Sequence, residues 1–220
     1  MKMIPGFNPN NSEWQSCNPQ VFWGEIAPFE NIVQVYENKN VFLDLLEGYV
    51  LDGFRVGDCV IIIATDNHLK VLKDRLNKHG CNIEAFIADD QFIALNADIA
   101  LAKFMKNGWP DSNLFRGFIN DSIAKAKARS RHVRAFGEMS AILWAQGYKA
   151  ATVQLEHLWK RFCETESFCL FCAYPRAGFT KDSDKSIHSI CCSYSKVISG
   201  THGSHLEIFY KTSDFNKKPD

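Results

Sequence analysis

Side chains that could hold a small polar ligand follow the ends of several apolar segments of this chain. They supply rings, two carboxylates, an amide, a hydroxyl and a guanidinium, and they are Tyr36, Glu37, Asn38, Thr65, Arg134, Phe136, Glu138 and Tyr174. If the apolar segments are parallel strands, their carboxyl ends meet at one edge of a sheet, where open α/β sheets bind their ligands. Because the set lacks an obvious nucleophile, it predicts a site that binds an amphipathic organic molecule and carries no catalytic residue.

The turn after the first apolar segment differs from a phosphate-binding loop. Between Tyr36 and Asn40 there is no glycine that would let backbone N–H groups approach a phosphate. Glu37 adds a negative charge that would repel one. The sequence also lacks a Walker A pattern. These residues argue against ordinary NTP chemistry, so no nucleotide or other cofactor is predicted.

Arg134 and Glu138 form a candidate ion pair, because Arg134 lies among apolar residues of a predicted strand. A charge in such a position needs a partner, and we expect Glu138, or Glu37 across the sheet, to supply it. A structural ion pair that fixes the strand–helix turn is the favoured interpretation. The alternative is an arginine that binds an anion or a carbonyl group and is oriented by the carboxylate.

The eight cysteines lie mostly in apolar segments, which favours reduced, buried thiols. Cys169 and Cys172 match the pattern C-x-x-C, but inside a strand these two positions point to opposite faces. A redox site needs its first cysteine at a helix N-terminus, and a zinc site needs a tight turn between its ligands. His202 and His205 alone make a weak metal hypothesis. The sequence therefore predicts no metal site.

Charge and hydropathy limit the partners. The 25 basic and 25 acidic side chains cancel, so no overall field attracts nucleic acid or an anionic membrane. The basic run at 125–134 is typical of a helix C-terminus and lacks the interleaved aromatic residues of a nucleic-acid site. The apolar runs are too short to span a bilayer, and the N-terminal residues do not form an export signal. We expect a cytoplasmic protein that binds neither nucleic acid nor membrane directly.

Hydrophobic periodicity predicts strands that alternate with helices. Apolar, β-branched runs predict strands at 31–36, 58–65, 91–95, 132–136 and 168–174, and an edge strand at 205–210. Helical spacing predicts helices between them and a last helix at 186–197. This alternation implies a three-layer α/β/α domain with a mostly parallel central sheet. We assign 1–28 to a polar arm whose aromatic second half docks on the domain, 29–200 to the domain, and 201–220 to an edge strand and tail.

Several sequence runs match one protein family. They are Phe22-Trp23-Gly24-Glu25-Ile26-Ala27-Pro28, Ile32-Val33-Gln34-Val35-Tyr36-Glu37-Asn38, Gly108-Trp109-Pro110, Arg134-Ala135-Phe136-Gly137-Glu138-Met139 and Phe171-Cys172-Ala173-Tyr174-Pro175. With these runs the chain resembles the MEDS domain, the sensory domain of methanogens, methylotrophs and the regulator DcmR. The resemblance covers about residues 23–198.

The resemblance implies a RecA/KaiC-like α/β domain that lacks the phosphate loop and senses a small organic compound, such as a hydrocarbon derivative. It implies no catalytic residues. Such domains accompany histidine kinases or DNA-binding modules, so we expect this chain to signal through a separate kinase or transcriptional regulator, with a homodimer as one assembly that the sequence allows. The chain departs from the family pattern at Asn38, where an acidic residue is usual, and at Tyr194, where a histidine is common.

Two alternatives to a sensor stay open. One is a degenerate nucleotide-binding domain, or an enzyme that uses Glu37 or Glu138 as an acid–base group. The other is a pure interaction module, in which the aromatic arm and the helix from Asp111 form the surface for a partner.

Overall fold

The structure is a computed structural model of the chain, and it describes residues 4, 7–8, 14–17, 30–166, 168–180, 184–200 and 206–211. Most of the predicted aromatic half of the N-terminal arm, including Phe22 and Trp23, lies outside these residues. The described first half does contact the domain, because Ile4, Phe7 and Trp14 are buried. The Phe7 ring lies 5.1 Å from Trp14 and 5.5 Å from Phe209.

The described residues form strands and helices in alternation, as the periodicity predicted. The strands are β1 (Trp14–Cys17), β2 (Asn31–Tyr36), β3 (Cys59–Ala64), β4 (Phe92–Asn96), β5 (Met105–Lys106), β6 (Trp109–Pro110), β7 (Val133–Gly137), β8 (Phe168–Pro175), β9 (Lys196–Gly200) and β10 (Leu206–Lys211). The helices are α1 (Lys39–Val56), α2 (Asp66–Lys78), α3 (Ile83–Ala88), α4 (Ala97–Phe104), α5 (Ser112–Ala128), α6 (Met139–Ala145), α7 (Lys149–Thr165) and α8 (Asp184–Cys192). A 3₁₀ turn at Arg176–Gly178 follows β8.

One mostly parallel sheet organises these elements, in the strand order β1-β10-β9-β2-β8-β7-β3-β4. The six strands from β9 to β4 run parallel to their neighbours, whereas β10 pairs antiparallel with β9 and β1 pairs antiparallel with β10. The predicted α/β fold is confirmed. The last predicted strand, β10, is not at the edge of the sheet, because β1 pairs with its outer side.

The helices lie on both faces of the sheet. α1, α2 and α3 pack on one face, and α4 to α8 pack on the other. Every residue of β3 is buried, since both faces of a covered parallel strand contact helices. The two burial faces alternate along β2, where Ile32 faces α1 while Val33 and Val35 face the opposite layer. No helix among the described residues is long and apolar enough to cross a membrane.

One predicted helix was wrong in extent. We expected a helix over 186–197, but α8 ends at Cys192 and β9 begins at Lys196. Val197 and Ile198 are buried on opposite faces of the sheet, which is the alternation of a strand. β9 pairs in parallel with β2, a contact between distant parts of the chain that local periodicity does not reveal.

Two helix-interior glycines allow a matched test of this packing. A Cβ at Gly53 in α1 would lie 2.6 Å from Val60 Cγ2 and 3.2 Å from Arg134 Cδ, whereas a Cβ at Gly117 in α5 meets nothing within 4 Å. We expect Gly53→Ala to destabilise the protein by about 1–3 kcal/mol through overpacking. Gly117→Ala should stabilise it by about 0.5–1 kcal/mol, because alanine favours the helix. Urea unfolding of both variants measures the difference, and equal effects of the same sign would contradict the packing of α1 on β3.

Candidate functional site

The carboxyl ends of four neighbouring strands meet at one edge of the sheet. β2, β8, β7 and β3 lie side by side, and their registers align Tyr36 with Pro175 and Ile63 with Gly137. The residues that follow these positions therefore lie along the same edge. This is the arrangement on which the predicted ligand site depended.

Glu138 is the centre of the polar contacts at this edge. It follows β7, and its backbone N–H donates to the carbonyl of Ile63 at 2.9 Å. Its Oε2 accepts from the backbone N–H of Thr65 at 2.9 Å and from the Thr65 hydroxyl at 3.4 Å. Its Oε1 lies 2.7 Å from Nδ1 of His68. The carboxylate thus joins the end of β7 to the end of β3 and to the first turn of α2.

His68 was missed by the sequence analysis. Thr65 is the N-cap of α2, and its hydroxyl accepts from the backbone N–H of His68 at 3.4 Å. The cap fixes the position of the third helical residue, so His68 is held over the strand ends. The signal was available in the sequence: a capping threonine after a buried strand places the residue three positions later beside the same edge.

Aromatic rings line the α1 side of this group. Tyr36 stacks on Phe42 with ring centres 4.8 Å apart, and Phe42 meets the His68 ring edge-on at 5.4 Å. Burial, and then the charge of Glu138, raise the pKa of Tyr36 to about 12. The phenol therefore stays neutral at physiological pH. Phe136 is fully buried behind Phe42, with ring centres 5.7 Å apart, so it supports the ring wall from within the core.

The turn after β2 contains only Glu37 and Asn38. Glu37 Oε1 lies 3.1 Å from Nε of Arg176, which follows β8. Asn38 is the N-cap of α1, and its side-chain oxygen accepts from the backbone N–H of Asn40 at 2.8 Å. The carboxylate at this turn is thus neutralised by an arginine, and the first helical N–H groups are capped by a side chain.

Arg134 has a partner that we did not expect. It forms a buried ion pair with Asp58, and its guanidinium lies 5.7 Å from the centre of the Tyr49 ring. The expectation that Glu138 or Glu37 would pair with Arg134 was wrong. Arg134 is the second residue of β7 and aligns with Val60, near the amino end of the sheet. Four residues of extended strand separate it from Glu138 by about 13 Å.

Tyr174 also lies away from the Glu138 group. It is fully buried, on the sheet face opposite the one that contacts α1. Its hydroxyl donates to Oε1 of Glu156 in α7, and the hydroxyl of Tyr194 donates to Oε2 of the same carboxylate. Glu156 is 1 % exposed, and desolvation raises its pKa although both tyrosine hydrogen bonds act in the opposite direction.

The structure therefore separates the predicted site residues. Tyr36, Thr65 and Glu138 come together, with Glu37 and Asn38 at the adjoining turn. Phe136 is buried behind the ring wall against Phe42, whereas Arg134 and Tyr174 are buried elsewhere in the core.

The cysteines of the C-x-x-C motif are buried in the core. Cys169 and Cys172 lie on opposite faces of the sheet, as their spacing predicted. Burial raises the pKa of the Cys169 thiol to about 12. Across the described ranges, no three His, Cys, Asp or Glu side chains are close enough together to hold a metal ion.

Ion pairs account for much of the basic run at 125–134, which begins in the last turn of α5. Arg131 and Arg129 both contact the carboxylate of Asp89, and Lys125 contacts Asp90 at 2.9 Å. Hydrogen bonds from Arg131 and Lys125 lower the pKa values of Asp89 and Asp90 respectively. These pairs join the end of α5 to the turn before β4.

A surface cleft of about 530 Å³ lies between α5 and α7, away from the carboxyl edge. Phe115, Leu158 and Phe162 contribute apolar atoms to it, and Arg116 and Glu164 are among its charged residues. Among its lining residues, Glu166 already pairs with Lys127. We place the candidate site at the carboxyl edge, where Thr65, His68 and Glu138 form a largely buried polar group.

Comparisons with known proteins agree with this architecture. A structure from Pyrococcus horikoshii OT3, the Project ID PH0250 protein, matches with a TM-score of 0.53 and 10 % identity over 84 % of this chain and 88 % of that one. The flagellar accessory protein FlaH from Methanocaldococcus jannaschii matches with a TM-score of 0.50 and 11 % identity over 83 % of this chain and 77 % of that one. No curated protein matches.

These likenesses define the class of fold: a RecA-like α/β domain with a mostly parallel sheet. The sequence then identifies the family. The family model described as "MEthanogen/methylotroph, DcmR Sensory domain" matches residues 32–192, so the chain belongs to the MEDS family. The resemblance proposed from the sequence motifs is confirmed.

The buried carboxylate of Glu156 generates a pH prediction. Because its pKa is raised above the ordinary 4.5, the folded state holds a proton that the unfolded state has already lost as the pH rises past that value. The free energy of unfolding should therefore fall as the pH increases through this window. Glu156→Gln lacks this titration, so the stability of wild type relative to the variant should decline as the pH rises above about 4.5.

Urea unfolding at several pH values measures this trend. Glu164→Gln, on the exposed side of the same helix, is the matched control. Its free energy of unfolding should differ little from that of wild type at every pH, because the Glu164 side chain is exposed to solvent in the folded state as well as in the unfolded state. A wild-type advantage over Glu156→Gln that grows with pH would contradict the raised pKa.

Proposed function

We propose that this chain is a non-catalytic sensory domain that binds a small organic ligand at the carboxyl edge of its sheet. Its membership of a sensory-domain family supports the sensory role. The fold supports the location, because open α/β sheets bind ligands at the carboxyl ends of their strands. We further propose that the signal passes to a separate histidine kinase or transcriptional regulator, from a monomer or a homodimer of this chain.

The observation that carries the proposal is the fixed polar group beside a ring wall. Glu138 is held by Thr65 and in turn orients His68, while the partly exposed Tyr36 ring lies next to it and stacks on the buried Phe42. Such a combination suits a ligand with a small polar end and an apolar body, because a few placed polar groups fix orientation while rings supply contact area. Glu37 and Asn38 border this group at the first turn.

A response to the ligand would start at helix ends. Thr65 caps α2, Asn38 caps α1, and Glu138 immediately precedes α6. A ligand that contacts these positions better in one arrangement of the helices than in another would shift the population toward that arrangement. The outer surfaces of the same helices would then carry the change to a partner.

A thermal-unfolding screen tests the sensor. Small alcohols, halogenated hydrocarbons, methylated compounds and nucleotides should be compared, and a true ligand at a hundred times its dissociation constant should add about 2.7 kcal/mol of stability. We expect stabilisation by at least one organic compound, and loss of that effect in Tyr36→Leu. Tyr148→Leu, which removes a half-exposed ring outside the site, should retain it. No shift with any compound would count against a small-molecule sensor.

A second candidate function is acid–base catalysis or residual nucleotide chemistry on this scaffold. The 2.7 Å contact between Glu138 and His68 favours it, since a carboxylate that orients an imidazole is a common general-base arrangement. Glu37 is a poorer base because Arg176 neutralises it.

Magnesium-dependent ATP turnover measures this second function. If it operates, Glu138→Gln should abolish turnover while Glu47→Gln, which alters the ion pairs with Arg75 and His79 near the far end of α2, leaves it unchanged. Under the sensor proposal we expect no turnover in the wild type.

A further inference from the structure

The contact between His68 and Glu138 fixes which ring nitrogen of His68 carries the hydrogen. A carboxylate offers only acceptors, so the hydrogen of the 2.7 Å contact lies on Nδ1. In the neutral imidazole, Nε2 then carries a lone pair and can only accept a hydrogen bond. The polarity of the free nitrogen is therefore set by the carboxylate behind the ring.

The Nε2 nitrogen is the part of His68 that a ligand can reach. The residue is 9 % exposed, with Glu138 at one ring nitrogen and Phe42 against the ring. Within the part of the chain that the structure describes, Nε2 has no hydrogen-bond partner. The atom is also not completely buried. The nitrogen thus keeps some contact with solvent.

The neighbouring groups narrow the chemistry of what would bind there. Both oxygens of Glu138 already accept hydrogen bonds, one from Thr65 and one from His68. Most of the acceptor capacity of the carboxylate is therefore used within the protein, with two hydrogen bonds from Thr65 to Oε2 and one from His68 to Oε1. Tyr36 stays neutral because burial raises its pKa to about 12. In this group, Nε2 of His68 is an acceptor that still lacks a hydrogen-bond donor.

Resting on the proposed sensory function, we propose that His68 selects a protic ligand: a small molecule with a hydroxyl or N–H group that donates to Nε2, and an apolar body that packs on Tyr36, whose ring is backed by the buried Phe42. Glu138 is the positioning residue, since it acts through the imidazole. A site built to accept a ligand hydrogen bond rejects an analogue that lacks the donor, because the acceptor is then desolvated and left unpaired.

The tautomer can be tested without any ligand. In protein labelled with ¹⁵N-histidine, the His68 signals, assigned by their loss in His68→Phe, should show a protonated Nδ1 and an unprotonated Nε2 in the neutral ring. Glu138→Gln should weaken this preference, because a carboxamide can offer either a donor or an acceptor to Nδ1. A neutral ring protonated on Nε2 would overturn the inference.

Isomeric probe pairs test the selection. 1-Butanol and methyl propyl ether share one formula, as do benzyl alcohol and anisole, but only the alcohols donate. We expect each alcohol to bind about tenfold or more tightly than its ether, and to move the Nε2 signal of His68. His68→Phe should remove the preference. His79→Phe should keep it, because His79 lies at the opposite end of α2 and pairs with Glu47.

The outcomes separate this inference from the proposed function. Equal binding of alcohol and ether, or a preference that survives His68→Phe, would overturn the selection by His68 and leave a ligand-binding sensor in place. Absence of binding by every probe and by the wider compound screen would overturn both.

Discussion

The carboxylate of Glu138 is the interaction on which the candidate site depends. It ties the end of β7 to the backbone after β3 and to a side chain in α2, so three elements share one anchor. A charge that is about nine-tenths buried is tolerated there because donors satisfy both of its oxygens. The same contacts that make the charge acceptable also orient His68. Local stability and the chemistry of the edge therefore have one cause.

Two other buried ionisable side chains, Arg134 and Glu156, are accommodated in the core in different ways. Arg134 is neutralised by Asp58 and covered by the Tyr49 ring, near the amino end of the sheet. Glu156 accepts hydrogen bonds from two tyrosine hydroxyls, and no cation contacts it within the described residues. Burial raises its pKa, so the protonated form is favoured there. Both groups join elements of the core. Their burial separates them from the edge, where the polar atoms that could meet a ligand are found.

Much of the architecture could be predicted because its signals are local. Buried parallel strands such as β3 are apolar throughout, caps such as Thr65 mark helix starts, and the rule for carboxyl ends located Tyr36 and Glu138. The failures concern partners that only the folded chain brings together. Asp58 precedes β3 and becomes the partner of Arg134 only once β7 has paired beside it. β9 was assigned to a helix because its pairing with β2 has no local signature.

The position of β2 in the sheet has a consequence for how the chain acquires its structure. Both neighbours of β2, the strands β8 and β9, are synthesised nearly the whole chain length later. Until they arrive, a strand that is almost fully buried in the finished sheet has two open edges, a state that invites pairing with other molecules. Such distant contacts slow folding, because the long loop between the partner strands must close before their pairing contributes any stability. Newly made chains should therefore depend on chaperones most during the interval before β8 leaves the ribosome.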